Sequence, residues 1–304
     1  THDLARRPGE KASSDAEDLA LPYYAILFMD GDSMGKHLSS KPERTGQISK
    51  AISDFSRAVP QIVEREYHGR VVYAGGDDVL ALLPVDEALD CAVRLRRAFE
   101  GSSKSSGVPM TISASILCVH AKSPLQAAFA AAHRLLDDIA KEGIGRDAFV
   151  IQVRKRGGSP LTIAKPWEGK SCHGAAERND GPGWAERIDE LSGQIFDSDG
   201  EGYSSKFLYS AAELLEPFAR PAKERGSEGP SFDAANMIPV LAAEYLRGPG
   251  ALLQIDWDES VRRMTELYDL CRWEPRESGK IRDRALQPDA LPMVRFLAEA
   301  KGVK

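Results

Sequence analysis

Two short runs carry most of the chemistry this sequence can perform. One is Phe28-Met29-Asp30-Gly31-Asp32-Ser33-Met34-Gly35-Lys36, and the other is Tyr73-Ala74-Gly75-Gly76-Asp77-Asp78-Val79. Both set a pair of closely spaced carboxylates beside apolar residues. Carboxylates gathered at pH 7 repel one another unless a cation or shared protons compensate. Mg²⁺ or Mn²⁺ is the natural compensation, because both favour oxygen ligands. Such a site serves nucleotidyl transfer. One ion lowers the pKa of an attacking hydroxyl, and another neutralises the departing pyrophosphate. Gly75 and Gly76 lack Cβ atoms, so they permit unusual turn dihedrals and the close approach of a nucleotide. A Gly-Gly-Asp-Asp stretch also reads simply as a type I′ hairpin turn, and an Asp often ends a strand. The two motifs together, on strands that can be neighbours, favour the metal reading, with Asp30, Asp77 and Asp78 as its catalytic carboxylates.

The elements around the motifs can bring them together. Residues 24–29 form a continuous apolar run, as in a buried central strand. Residues 71–74 and 79–83 flank the glycines as a hairpin. Between them and the first strand, Ile48, Ile52, Phe55, Val59, Ile62 and Val63 recur at helical spacing, with Pro60 as a kink. A helix is expected over 85–99, a mobile Ser/Lys/Gly loop over 101–107, a strand over 110–119, a helix over 124–141 and a strand over 148–153. The first six of these elements spell βαββαβ. The fold class is therefore α+β, a ferredoxin-like palm of the polymerase and nucleotide-cyclase type followed by an all-α helical domain. In that topology the first strand is central and lies beside the hairpin, so Asp30 and Asp32 approach Asp77 and Asp78. Beyond Trp167 the pattern is helical, over 184–195, 206–218, 233–246, 258–272 and 291–300. Residues 1–20 read as a linker or tag remnant, 21–168 as the palm, and 169–304 as the helical domain.

Bulk properties narrow the function classes. A chain of 304 residues with 42% hydrophobic content can build two domains with real cores. A net charge of −6 argues against a general nucleic-acid coat and leaves room for a local basic groove. Cys91, Cys118, Cys172 and Cys271 form no C-x-x-C pair, so neither a zinc knuckle nor a disulfide framework is expected. Reduced thiols suit the cytoplasm. No apolar run approaches the ~20 residues of a membrane span, so no membrane partner is expected. The start at Thr1, without an initiator Met, reads as a piece of a longer chain. Lys155-Arg156-Gly157-Gly158 and the mixed charges between Arg272 and Arg284 are candidate phosphate or RNA contacts, weighed against simple solvation.

These residues resemble the GGDD palm of the large subunit of type III CRISPR effector complexes, of the Cmr type. The matching stretches are YYAILFMDGDSMGKHLS, VVYAGGDDVLALLP, TISASI and AAHRLLDDIAKEGIGRDAFVIQVRKRGG. The resemblance implies that ATP is converted to a cyclic oligoadenylate second messenger when target RNA is bound. It implies other complex subunits as partners, with CRISPR RNA and target RNA contacted indirectly. Asp30 and Asp78 are implied metal ligands, with the Gly31 backbone facing the metal. Asp77 is implied as a ligand or as the group that activates the 3′-hydroxyl. Backbone amides over Asp32, Ser33, Gly35 and Lys36 are implied to cradle phosphate, and Lys141 with Arg146 to hold the triphosphate. Two palms face each other in that family with ATP between them, so this chain is expected to hold half of a site. Two other readings stand beside this one: a non-enzymatic, nucleotide-binding scaffold subunit of such a complex, and a stand-alone cyclase of another nucleotide. Tyr73, where a diguanylate cyclase would carry an Asp three residues after Arg70, and the added helical region point away from the latter.

Overall fold

The structure is a computed structural model that describes residues 22–40, 42–168, 183–195, 202–219, 234–248, 250, 253–273, 276–277, 280–281 and 285–302. The expectations for 1–20, 169–182 and 220–230 lie outside the described residues. A mixed sheet organises the N-terminal half. Its strands are β1 (Tyr23–Gly31), β2 (Arg70–Gly75), β3 (Asp78–Leu83), β4 (Ile112–His120), β5 (Ala148–Arg154) and β6 (Leu161–Pro166), in the order β2-β3-β1-β4-β5-β6. β1 is central and antiparallel to both β3 and β4, while β4 and β5 run parallel. Its first four strands have the ferredoxin-like order that the element sequence predicts.

The apolar run of β1 is buried on both faces. Ala25 and Leu27 join one hydrophobic cluster and Ile26 joins the other. On the first face lie α1 (Met34–Ser40), α2 (Thr45–Gln61) and α3 (Val85–Ser106), which contribute Met34, Phe55 and Leu95 to that cluster. On the second lies α4 (Leu125–Arg134), which continues through Gly143 in wider i→i+5 turns. Among the described residues the C-terminal α-helices are Trp184–Gly193, Ser205–Leu215, Ala234–Arg247, Trp257–Cys271 and Ala290–Ala300. Trp184, Leu208, Tyr245, Met264 and Leu297 from these helices pack into the same cluster as Leu27 and Phe55. Among the described residues no helix is long and apolar enough to cross a membrane, and Cys91, Cys118 and Cys271 are buried free thiols.

Three local departures from the sequence reading have clear causes. The Ser-rich stretch 101–106 is helical, not a loop. The Ser103 hydroxyl donates to the Val108 carbonyl at 2.8 Å and accepts from the Met110 amide at 2.7 Å, so these serines fasten the helix end to the returning chain. Gly107, at φ 64, then ends the helix in the left-handed conformation that favours glycine. Strand β6 is short and ends in Pro, so its sequence carries little strand signal, yet it pairs along β5 from Leu161 to Pro166. The glycine turn is not type I′. Gly76 has φ 68, but Asp77 is not among the residues of positive φ, and type I′ requires both. A glycine at the first central position is what a type II′ turn demands.

Candidate active site

The register of the sheet builds the site. Met29 lies opposite Val79 across β1 and β3, so the next step along each strand is Asp30 and Asp78. Both carboxyls therefore leave the same end of two neighbouring strands, and the Asp30 carboxyl perturbs the ionisation of Asp78. Burial, the bond to Asp30 and the charges of Asp30 and Asp77 push Asp78 up to about 7, against the opposing pull of Lys141. Asp77 follows in the turn. Burial, helped by the charge of Asp30, raises it above the ordinary carboxylate range, while amide hydrogen bonds and Lys141 oppose the shift.

Lys141 reaches this cluster from the far end of the α4 extension. Its ammonium pairs with Asp30 Oδ2 and lies 3.4 Å from Asp137 Oδ1. Burial alone would lower its pKa, but the bonds and charges of Asp30 and Asp137 outweigh that and hold it above its usual value. Asp137 also sits 3.0 Å from His133 Nδ1. The spacing His133, Asp137, Lys141 is one residue per helical turn, so a line of alternating charge runs along the helix to the carboxylates.

Gly31 is required by contact. A Cβ there would lie 2.5 Å from Asp77 Oδ2 and 2.8 Å from Met34 Cγ, so only glycine lets Asp77 close over β1. A Cβ at Gly75 would instead meet the Tyr73 ring end, and Tyr73 is exposed, so that neighbour can swing away.

Asp32 has a different role from the one its spacing suggests. It is buried and accepts from Thr111 Oγ1 at 2.8 Å, Ser113 Oγ at 2.7 Å and the Asp147 amide at 2.9 Å. Its own amide donates to the Thr111 carbonyl at 2.8 Å. Asp32 braces β1 against β4 and the loop before β5; it does not present its carboxylate to the site. Ser33 stands at φ 57, and its carbonyl accepts from the Lys36 amide at 2.9 Å, so the amides of Asp32 and Lys36 are both engaged within the chain. Gly35 and Lys36 are exposed on α1. Arg146 is exposed at φ 72 between Gly145 at φ 101 and Asp147 at φ 45, and its amide donates to the Ala140 carbonyl at 3.2 Å. The structure thus brings together Asp30, Gly31, Asp77, Asp78 and Lys141, and places Arg146 on the neighbouring loop. Thr111, Ser113, His133, Asp137 and Asp147 also support the site. The helical spacing of His133 and Asp137 with Lys141 is the one signal that could have found two of them.

Among the described residues, no three His, Cys, Asp or Glu side chains form a ready-made metal cage. The arrangement is an acid pair, Asp30 with Asp78, and a third carboxyl alongside. That is the donor set Mg²⁺ takes in phosphoryl chemistry. It keeps several waters and binds through one or two carboxylates plus substrate phosphates, not through an all-protein cage. The residues present therefore fit a hard divalent cation, with Asp30, Asp78 and the Gly31 backbone to hold it and Asp77 next to them.

Residues 23–150 match the model of a known family, Cas10/Cmr2, second palm domain. This segment is similar to a Cas10/Cmr2 palm domain. Over 177 residues the chain is 40% identical to the CRISPR system Cmr subunit Cmr2 of Pyrococcus furiosus, covering 48% of this chain and 20% of the relative. Over 101 residues it is 35% identical to the corresponding Saccharolobus solfataricus subunit, covering 33% of this chain and 9% of the relative. The chain thus spans a fifth or less of the length of these two Cmr2 relatives. Among solved structures, type III-B Cmr-beta bound to cognate target RNA matches with a TM-score of 0.53 at 17% identity, covering 92% of this chain and 39% of that one. A Csm1–Csm4 cassette in complex with cA4 matches with a TM-score of 0.51 at 18% identity, covering 91% and 36%. At these identities the likeness shows the shared fold. The Cas10/Cmr2 palm match spans the whole of the carboxylate site, from Asp30 through Lys141.

Proposed function

We propose that this palm catalyses metal-dependent nucleotidyl transfer on ATP, giving a cyclic oligoadenylate, as part of an RNA-guided type III CRISPR complex. The observation that carries the reading is the Asp30–Asp78 acid pair, with Asp77 beside it and Lys141 against it, at the ends of two neighbouring strands. In this reading Asp30, Asp78 and the Gly31 backbone hold Mg²⁺ or Mn²⁺. Asp77 either joins them or takes the proton of the attacking 3′-hydroxyl. Lys141 exchanges its carboxylate partner for the triphosphate, aided by Arg146 from the adjacent loop. The bound ions would supply activation of the hydroxyl and neutralisation of the departing pyrophosphate. Support also comes from the family match and from a relative of the same fold that binds cA4. The other complex subunits and RNAs are the proposed partners.

The test is direct. Assembled with its partner subunits, CRISPR RNA and target RNA, the palm should convert ATP with Mn²⁺ into cyclic products resolved by mass spectrometry. Asp77→Ala with Asp78→Ala should abolish them, and undiminished product from that variant would overturn the assignment. Two observations favour a second reading, a nucleotide-binding scaffold without turnover: the ammonium of Lys141 already holds Asp30, and among the described residues no three-donor cage is preformed. Calorimetry separates the two in part, because a scaffold without this metal site takes up no Mn²⁺.

A further inference from the structure

A second concave site lies at the opposite end of the sheet. Ser113 on β4 stands opposite Asp30, whereas His120 at the other end of β4 stands opposite Tyr23. Seven residues of strand separate the two, roughly 23 Å at the usual rise. There, between the end of β4, the end of β5 and the start of α4, opens a cavity of about 370 Å³. Its apolar wall comes from Val119, Pro124, Ala127 and Ala128. Its cations are Lys122, Arg154, Lys155 and Arg156, with His120 beside them. None of its lining residues is acidic. Among the described residues no carboxylate forms an ion pair with any of these four cations, although the whole chain carries a net charge of −6. The Lys122 amide donates to His120 Nδ1 at 3.0 Å, which makes that nitrogen an acceptor and leaves Nε2 to carry the ring proton. Desolvation first, and then the charges of Arg156 and Lys122, lower the His120 pKa.

Cations clustered around a concave surface, with no acidic residue in its lining, focus a positive field that concentrates anions there. The combination of an apolar side and a rim of four cations around about 370 Å³ suits one chemical class, a planar base carrying phosphate. We propose that this cavity binds a nucleoside phosphate independently of the carboxylate site. The unit can be a free nucleotide or one nucleotide of a single strand. Lys122, Lys155 and Arg156 meet the phosphate, and the exposed Pro124 and Ala127 face the base. Arg154 is held by its Nε–H bond to Gln152 Oε1 at 2.8 Å, so it presents its remaining guanidinium donors in a fixed position.

The experiment uses the 304-residue chain in EDTA, which silences any metal-dependent binding at Asp30, Asp77 and Asp78. Fluorescence anisotropy is recorded with a labelled 12-nucleotide RNA, and ATP is then added as competitor. The RNA should bind, with log affinity falling linearly in log salt at a slope near −2 for about three phosphate contacts. Lys155→Glu with Arg156→Glu should weaken binding at least tenfold and flatten the slope. Both residues are exposed, and an unchanged melting temperature would show that the fold is intact. A milder variant, Lys122→Gln, should lose a smaller factor in the same direction. Competition by ATP at micromolar concentration identifies a free-nucleotide site, and displacement only by oligonucleotide identifies a strand site; either outcome supports the cavity. Absence of binding of both ligands below 1 mM, or equal affinity of wild type and the double charge reversal, would overturn the proposal. Because EDTA is present throughout, either outcome is independent of whether the palm makes cyclic product.

Discussion

Lowering the pH should strip divalent metal from the carboxylate site in a range where ordinary carboxylates are inert. A metal binds only the deprotonated form of its ligand, so a proton held on Asp78 competes with it. Asp78 ionises at about 7, raised by burial and by the bond to Asp30. An acid of that strength is about one-tenth ionised at pH 6 and about nine-tenths ionised at pH 8. The apparent Mn²⁺ affinity should therefore rise about tenfold from pH 6 to pH 8. Asp78 remains accessible to water, and screening makes tenfold an upper bound. An unperturbed aspartate, ionising near 3.9, would give no change over the same range. Isothermal titration calorimetry with Mn²⁺ at pH 6, 7 and 8 measures this. Repeating the pH 7 titration in buffers of different ionisation enthalpy should show protons released on binding. Asp78→Asn should bind more weakly and lose the pH dependence. Equal wild-type affinity at pH 6 and pH 8, with no proton release, would refute the idea that the acid pair forms the metal site.

Further outcomes follow from the same contacts. Gly31→Ala should destabilise the fold by about 2 kcal/mol through overpacking and weaken Mn²⁺ binding, since its Cβ would press on Asp77; a thermal melt and a titration check both. Asp32→Ala removes the acceptor of Thr111, Ser113 and the Asp147 amide, so it should cost about 3 kcal/mol and lower the melting temperature. In metal-free buffer, stability should fall as pH rises toward 7. Asp78 ionises near 3.8 when unfolded and about 7 when folded, so the folded state holds the extra proton below that point and loses its benefit above it. Asp78→Asn should accordingly melt higher than wild type at pH 8, by about 1 kcal/mol once exposure is discounted. The chain alone, without a facing palm, should turn over little ATP; robust cyclisation by it would contradict the half-site account.

The motif residues were legible because their chemistry and their strand positions coincide. An apolar run that ends in Asp30 and a hairpin that turns at Gly76 each fix a strand end, and the ferredoxin-like order makes those ends neighbours. Asp32 was misleading for a related reason. Two residues beyond Asp30 it looks like a partner ligand, and only the register with β4 shows that Thr111 and Ser113 take its oxygens. That pairing joins residues some eighty positions apart, which no local spacing encodes. The serine-rich end of α3 was hidden because its side chains bond the returning backbone and replace the usual apolar signal. The basic cavity had only Lys155 and Arg156, just past the end of β5, as a hint. Their meeting with Lys122 and Arg154 depends on the parallel β4–β5 pair, in which Val119 lies opposite Arg154.

Anomalous scattering from crystals grown with Mn²⁺ and ATP tests the central claim most directly. A Mn²⁺ peak at about 2.1 to 2.2 Å from carboxylate oxygens of both Asp30 and Asp78, with triphosphate oxygens completing the shell, is the predicted result. The ammonium of Lys141 should then have left Asp30 for the phosphates. A map with ATP bound but no peak between Asp30 and Asp78, and with Lys141 still paired to Asp30, would contradict the account.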